Sequence, residues 1–176
     1  MTTPFEQMLT GGHPNSLGRT VDVVELILSK PEKLEELYNC YFSADEVVRL
    51  RTSSALKRIT QKQPEWVVPY IDRLLNEISK IDQASTQWTL ATLFDLLKSR
   101  MSRDQQVSAL TIMKNNLATH GDWIVLNTTM QTLFDWSKSD AELQQWLTPQ
   151  LERLTNDGRK SVSKRAAKLL ALSPNQ

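Results

Sequence analysis

Glycine and proline are scarce in this chain, with five and seven residues among 176. A turn-rich β fold needs more of both, so their scarcity favours helices. Cysteine is almost missing: Cys40 stands alone, no intrachain disulfide can form, and the fold does not depend on oxidation. The two histidines, His13 and His120, have no ligand-spaced neighbours, so no zinc or histidine-based catalytic site is read and no metal is expected. No apolar run reaches transmembrane length, so no membrane span is expected. The residues after Met1 lack the basic start and apolar stretch of a signal peptide, which makes the cytoplasm the expected location. Neither sign of charge dominates: 21 basic and 20 acidic residues give +1, unlike a dedicated polyanion binder. Phosphate-loop and nucleophile-elbow motifs are also missing, so no cofactor and no enzymatic activity are expected.

What the chain does have is repetition. From Asp45 to about Lys62, Val48, Thr52, Ala55, Leu56 and Ile59 fall on one helical face. The template returns as Thr86, Leu90, Leu93, Phe94 and Leu97. It returns again as Leu126, Met130, Leu133 and Phe134, with Ser137 in the last slot, and finally as Val162, Ala166, Leu169 and Leu170. The first positions are 48, 86, 126 and 162, which gives steps of 38, 40 and 36 residues. Asp45, Asp82, Asp122 and Asp157 precede these helices at cap-like distances.

Partner helices are expected between them. Pro31 to Tyr41 carries Leu34, Leu37 and Tyr38, and Pro64 to Ile78 carries Val67, Ile71, Leu74 and Leu75. Arg103 to Leu117 carries Val107, Leu110 and Met113 or Leu117, and Ala141 to Leu154 carries Leu143, Leu147 and Leu151. Pro69 and Pro149 fall inside their helices and predict matching kinks. In residues 1–30, Pro4 to Leu9 predicts a short helix. A loop follows at Gly11 to Ser16, then a helix from Thr20 to Ser29 with Val21, Val24, Ile27 and Leu28 inward. This segment reads as a terminal cap, and the tail from Ser173 reads as frayed.

The stretch from Asp45 to Ile59 resembles the inner helix of a HEAT repeat: an aspartate, then Val48-Arg49, then Thr52, then Ala55-Leu56. The later repeats carry Gln87, Asn127 and Ser163 at the arginine position, so one repeat of four matches strongly. The resemblance spans roughly 31–172. It implies an all-α, right-handed α-α superhelix, a HEAT or armadillo-like solenoid of about four helix pairs behind the capping segment 1–30. The repeats fall at about 31–62, 64–100, 103–138 and 141–172, in one domain overall. It also implies a protein-binding scaffold that takes a protein or peptide on the concave face of its inner helices.

On that face the sequence places Arg51, Arg58, Trp88, Asp95, Trp136, Arg165 and Lys168, because arginines and aromatics make binding hot spots. Arg49 is expected to pair with the aspartate of a neighbouring repeat. Most of the five tryptophans are expected in the core. The alternative reading is a DNA-binding or DNA-repair protein. A class of alkylpurine DNA glycosylases uses a HEAT-like solenoid with aromatic and acidic residues on its concave face. That reading requires duplex binding that weakens steeply with salt.

Overall fold

The computed structural model describes residues 3–173; Met1, Thr2 and residues 174–176, most of the expected frayed tail, lie outside them. The described residues form helices and no strand. The chain divides into two compact units, Met1–Gln105 and Gln106–Gln176. The division falls in the first turn of one helix, α8 (Arg103–Thr119).

Unit 1 opens with the two expected short helices, α1 (Pro4–Leu9) and α2 (Thr20–Ser29). Thr3 caps α1 by accepting the Glu6 N–H, and Pro4 occupies the first helical turn, where a missing N–H costs nothing. The buried stripe of α2 is Thr20, Val23, Val24 and Ile27, whereas Val21 is 46% exposed. The inward face is therefore turned from the expected one, towards Val23.

The first partner segment is an α-helical core, α3 (Leu34–Asn39), between two 3₁₀ turns, Pro31–Lys33 and Cys40–Phe42. Then comes α4 (Glu46–Lys62), with Val48, Thr52, Ala55, Leu56 and Ile59 all buried as their spacing requires. The hydroxyls of Thr52 and Thr60 turn back to the Val48 and Leu56 carbonyls at 2.8 Å, so both are satisfied inside the core. The next partner divides at Pro69 into α5 (Pro64–Val67), a 3₁₀ turn and α6 (Ile71–Asn76). A 3₁₀ turn at Ile78–Lys80 leads on to α7 (Ala84–Leu97). Helix α4 packs against α2 and against α7.

Unit 2 holds the rest of α8, then α9 (Trp123–Ser137), α10 (Ala141–Thr155) and α11 (Lys160–Leu172). These last three pack on one another. The buried stripe of α8 is Ala109, Met113 and Leu117. Met113 and Leu117 are buried as expected, whereas Val107 is 56% exposed and Ala109 takes the inward place at the start of the helix. Helix α10 runs unbroken through Pro149. Thr148 bonds the Gln144 carbonyl at 3.0 Å and ties down the turn before the proline, so the two internal prolines do not act alike.

The aspartate caps separate into real and apparent ones. Asp45 caps α4 through the Val47 N–H at 2.8 Å, and Asp122 caps α9 through Ile124 and Val125. Asp82 caps nothing: the residue before α7 is Gln83, with no side-chain cap. Asp157 binds the backbone and guanidinium of Arg159. Asp140 caps α10 through Leu143, and Ser102 and Gln105 satisfy each other's backbone N–H groups at the start of α8.

Polar contacts also recur one repeat length apart. In unit 1, Arg49 bonds Gln83 at 2.6 Å across 34 residues, and Arg73 reaches Glu35 at 2.9 Å across 38. Arg100 reaches Glu65 at 2.5 Å across 35. In unit 2, Arg153 bonds the Leu117 carbonyl across 36 residues, and Arg165 bonds Gln131 across 34. Arg49 thus serves its neighbour through a glutamine, not an aspartate.

Removing a true cap costs about 1 kcal/mol. Urea denaturation should therefore show Asp122→Ala losing about that amount, with Asp82→Ala within about 0.5 kcal/mol of the parent. Equal losses would contradict this assignment of caps.

The Asp157 carboxyl is held down at about 2, chiefly by the Arg159 side chain. It stays charged in the folded state at pH values where the unfolded chain already takes up a proton. Its contribution is full above the ordinary value of 3.8 and is lost as pH falls towards 2. Acid titration of Asp157→Asn should show a shallower loss of stability across that window than the parent does.

Candidate functional site: surfaces of the two units

Arg51 points inward, not to solvent. It is 2% exposed, and its guanidinium is held by four backbone carbonyls. Nη1 donates to Leu9 at 2.7 Å and Gly11 at 2.6 Å, Nη2 to His13 at 3.2 Å, and Nε to Ser16 at 3.2 Å. Arg51 is therefore withdrawn from the binding face: the loop after α1 closes over it. Gly18 has φ +51°, and an added Cβ would lie 2.7 Å from the Arg51 guanidinium carbon, so only glycine fits there. His13 Nδ1 accepts the Asn15 N–H at 3.1 Å and stabilises the loop turn. Thr10 donates to the Asp45 carboxylate at 2.8 Å, and Glu36 accepts the Phe5 N–H at 2.9 Å. An acid at the start of α1 and a cation at its end match the helix dipole.

Arg58 lies two turns along the same flank of α4. That flank carries Lys62, which pairs with Glu25 of α2 at 3.6 Å. Arg58 is half-buried, and its Nε is buried without a hydrogen-bond partner. Trp88 and Asp95 lie two turns apart on the less buried stripe of α7; the indole is half-buried and the carboxylate is exposed.

In unit 2, Trp136 is 2% exposed, which takes its ring off the expected binding surface. Its helix is buried on a second stripe, formed with Val125, Thr129 and Thr132, so the one-stripe reading of α9 is too narrow. Arg165 and Lys168 are exposed on α11, and Arg165 bonds Gln131 at 2.9 Å. The tryptophans largely reverse expectation: Trp66, Trp88 and Trp146 are half-buried and Trp123 is 49% exposed.

Unit 1 also carries a groove that helical periodicity does not signal. Its volume is about 420 Å³, and Pro31, Leu34, Trp66, Pro69 and Tyr70 line it, with Glu35 and Arg73 at its edge. Arg73 Nη1 donates to both carboxylate oxygens of Glu35, at 3.0 and 2.9 Å. Its guanidinium also lies 4.0 Å from the centre of the Tyr38 ring and 5.6 Å from that of Tyr70. Burial, then the hydrogen bond to Glu35, pushes the Tyr70 hydroxyl above its ordinary pKa. The signal for the groove was Trp66, Pro69 and Tyr70 within five residues, but Pro69 reads first as a kink and Trp66 as core.

Cys40 is 2% exposed, and burial pushes its thiol up to about 11, so it is not a ready nucleophile. His120 Nδ1 accepts the Asp122 N–H at 3.0 Å. Among the described residues no three His, Cys, Asp or Glu side chains gather as metal ligands, and no helix is long and apolar enough to cross a membrane. Comparison with family models, with curated proteins and with solved structures finds no match to this chain.

Replacing Arg51 by methionine leaves the Leu9 carbonyl at the end of α1 and three loop carbonyls without their shared donor. The loss expected is roughly 3 kcal/mol, with faster amide exchange between residues 10 and 19. A neutral result in denaturation would return Arg51 to the surface.

Proposed function

We propose that the chain is a non-catalytic protein-interaction scaffold of the HEAT-like α-solenoid type, working in the cytoplasm. The solenoid reading is supported by template helices 36 to 40 residues apart and by polar contacts that span 34 to 38 residues within each unit. A lone buried thiol suits a reducing compartment.

The observation that carries the reading is the groove of unit 1. It presents a tryptophan, a tyrosine and an arginine, the side chains that dominate binding energy in protein interfaces, beside two prolines. Its walls come from the partner helices, so the recognition surface proposed here is not the inner-helix face. Duplex DNA is the competing partner. The near-neutral charge and the withdrawal of Arg51 from solvent favour protein.

Trp66→Ala removes the ring at the groove while leaving the buried stripe of Val67, Ile71 and Leu74 intact. Proteins that co-purify with the parent chain at low salt should be lost from this variant, at an unchanged circular dichroism spectrum. The same set retained by Trp66→Ala would overturn the groove as the binding site.

A further inference from the structure

The last helix, α11, carries four cations and no carboxylate. Lys160, Lys164 and Lys168 follow one another at four-residue steps, so their Cβ atoms form a row about 6 Å apart along the helix. All three are exposed, and none of the ammonium groups has an ion-pair or hydrogen-bond partner among the described residues. Arg165 stands beside the row and bonds only the neutral Gln131.

The carboxylates of unit 2 are mostly committed elsewhere. Asp122 and Asp140 cap their helices, Asp135 holds Lys138 at 2.6 Å, and Asp157 holds Arg159. Glu142 and Glu152 are exposed on α10, and among the described residues no carboxylate forms an ion pair with the row.

The row ends on apolar surface. Leu172 is 61% exposed and stands four residues after Lys168, so it takes the next place on the same face. Ala171, three residues after Lys168, is exposed beside it. The true apolar stripe of α11, made by Val162, Ala166 and Leu169, is buried, so the helix has no free apolar face to lay on a membrane. A phosphate backbone would match the cations but offer nothing to the leucine. A carboxylate-rich segment with apolar residues matches both.

We propose that this face of α11 docks an acidic, leucine-bearing amphipathic segment of a partner protein, which rests on the scaffold reading above. Acidic side chains of the partner pair with Lys160, Lys164, Arg165 and Lys168, and its apolar residues cover Leu172 and Ala171.

The test uses the full chain and a fluorescein-labelled peptide of about 16 residues. It carries glutamates at i, i+4 and i+8 and two leucines on the same face. A second peptide has glutamine for both leucines, and a third probe is a short DNA duplex. Anisotropy is read at about 50 and 200 mM salt. The leucine peptide should bind, and K164E/K168E should weaken it at least about tenfold. Replacing the peptide leucines, or Leu172→Gln, should weaken it about threefold. Binding unaltered by the charge reversal, equal binding of the two peptides, or tighter binding of the duplex would each overturn the proposal. Because all substituted side chains are exposed, an unchanged circular dichroism spectrum confirms that the variants fold.

Trp66→Ala separates this claim from the groove. If that variant keeps its extract partners while the leucine peptide binds α11, the groove fails and the α11 site stands. If it loses them and no peptide binds, the α11 site fails and the groove stands.

Discussion

A guanidinium taken out of water is costly unless nearly all of its donors are satisfied. In unit 1 Arg51 meets that demand with four carbonyls, from Leu9, Gly11, His13 and Ser16. Those carbonyls have few partners of their own: Leu9 ends α1, and the others belong to a loop with little regular structure. Each side therefore satisfies the other. The loop cannot leave without stranding a buried cation, and the cation cannot leave without stranding the loop. Gly18 must lack a side chain to let the guanidinium lie against its backbone. The cage fixes the loop after α1 to α4, Thr10 on Asp45 adds a second tie, and Glu36 of α3 holds the start of α1 through the Phe5 N–H.

The cage also explains which parts of the molecule were legible in the sequence. Helical periodicity reports burial of apolar side chains, and it placed the stripes of α4, α7, α9 and α10 correctly. It says little about a polar residue whose partners are backbone carbonyls more than 30 positions away. Arg51 therefore looks like a surface arginine in sequence. Trp136 is misread for a related reason: a single-stripe template cannot register a helix packed on two sides. Asp82 shows the limit of cap reading, since Gln83, one place later, occupies the cap position and bonds Arg49 instead. On α2 and α8 only the first expected position fails outright, because Val21 and Val107 are apolar yet exposed, while Val24, Ile27, Met113 and Leu117 are buried as their spacing requires.

The candidate surfaces were less legible than the fold. Arg165 and Lys168 were placed at the surface, and they are exposed. The groove was missed because its residues come from two segments more than 30 positions apart, each plausible alone as core or kink. Polar chemistry in this chain largely serves the fold. Arg49, Arg51, Arg73, Arg100, Arg153 and Arg159 all bond to loops, carbonyls or neighbouring helices. What is left over among the described residues is distinctive: a proline- and aromatic-lined groove in unit 1 and a lysine row without ion pairs in unit 2. Apart from Arg73, which pairs with Glu35 and also lines the groove, residues spent on structure and residues left for partners are different sets, and the proposed function rests mainly on the second.

That division is tested most directly on Arg51 itself, by ¹⁵N-edited spectra of the arginine side chains at rising pH. The account predicts that the Arg51 Nε proton, bonded to the Ser16 carbonyl, exchanges slowly and persists well after the signal of exposed Arg165 has broadened away. Exchange of Arg51 as fast as that of Arg165 would place its guanidinium in solvent. It would then contradict both the cage and the separation of structural from binding residues.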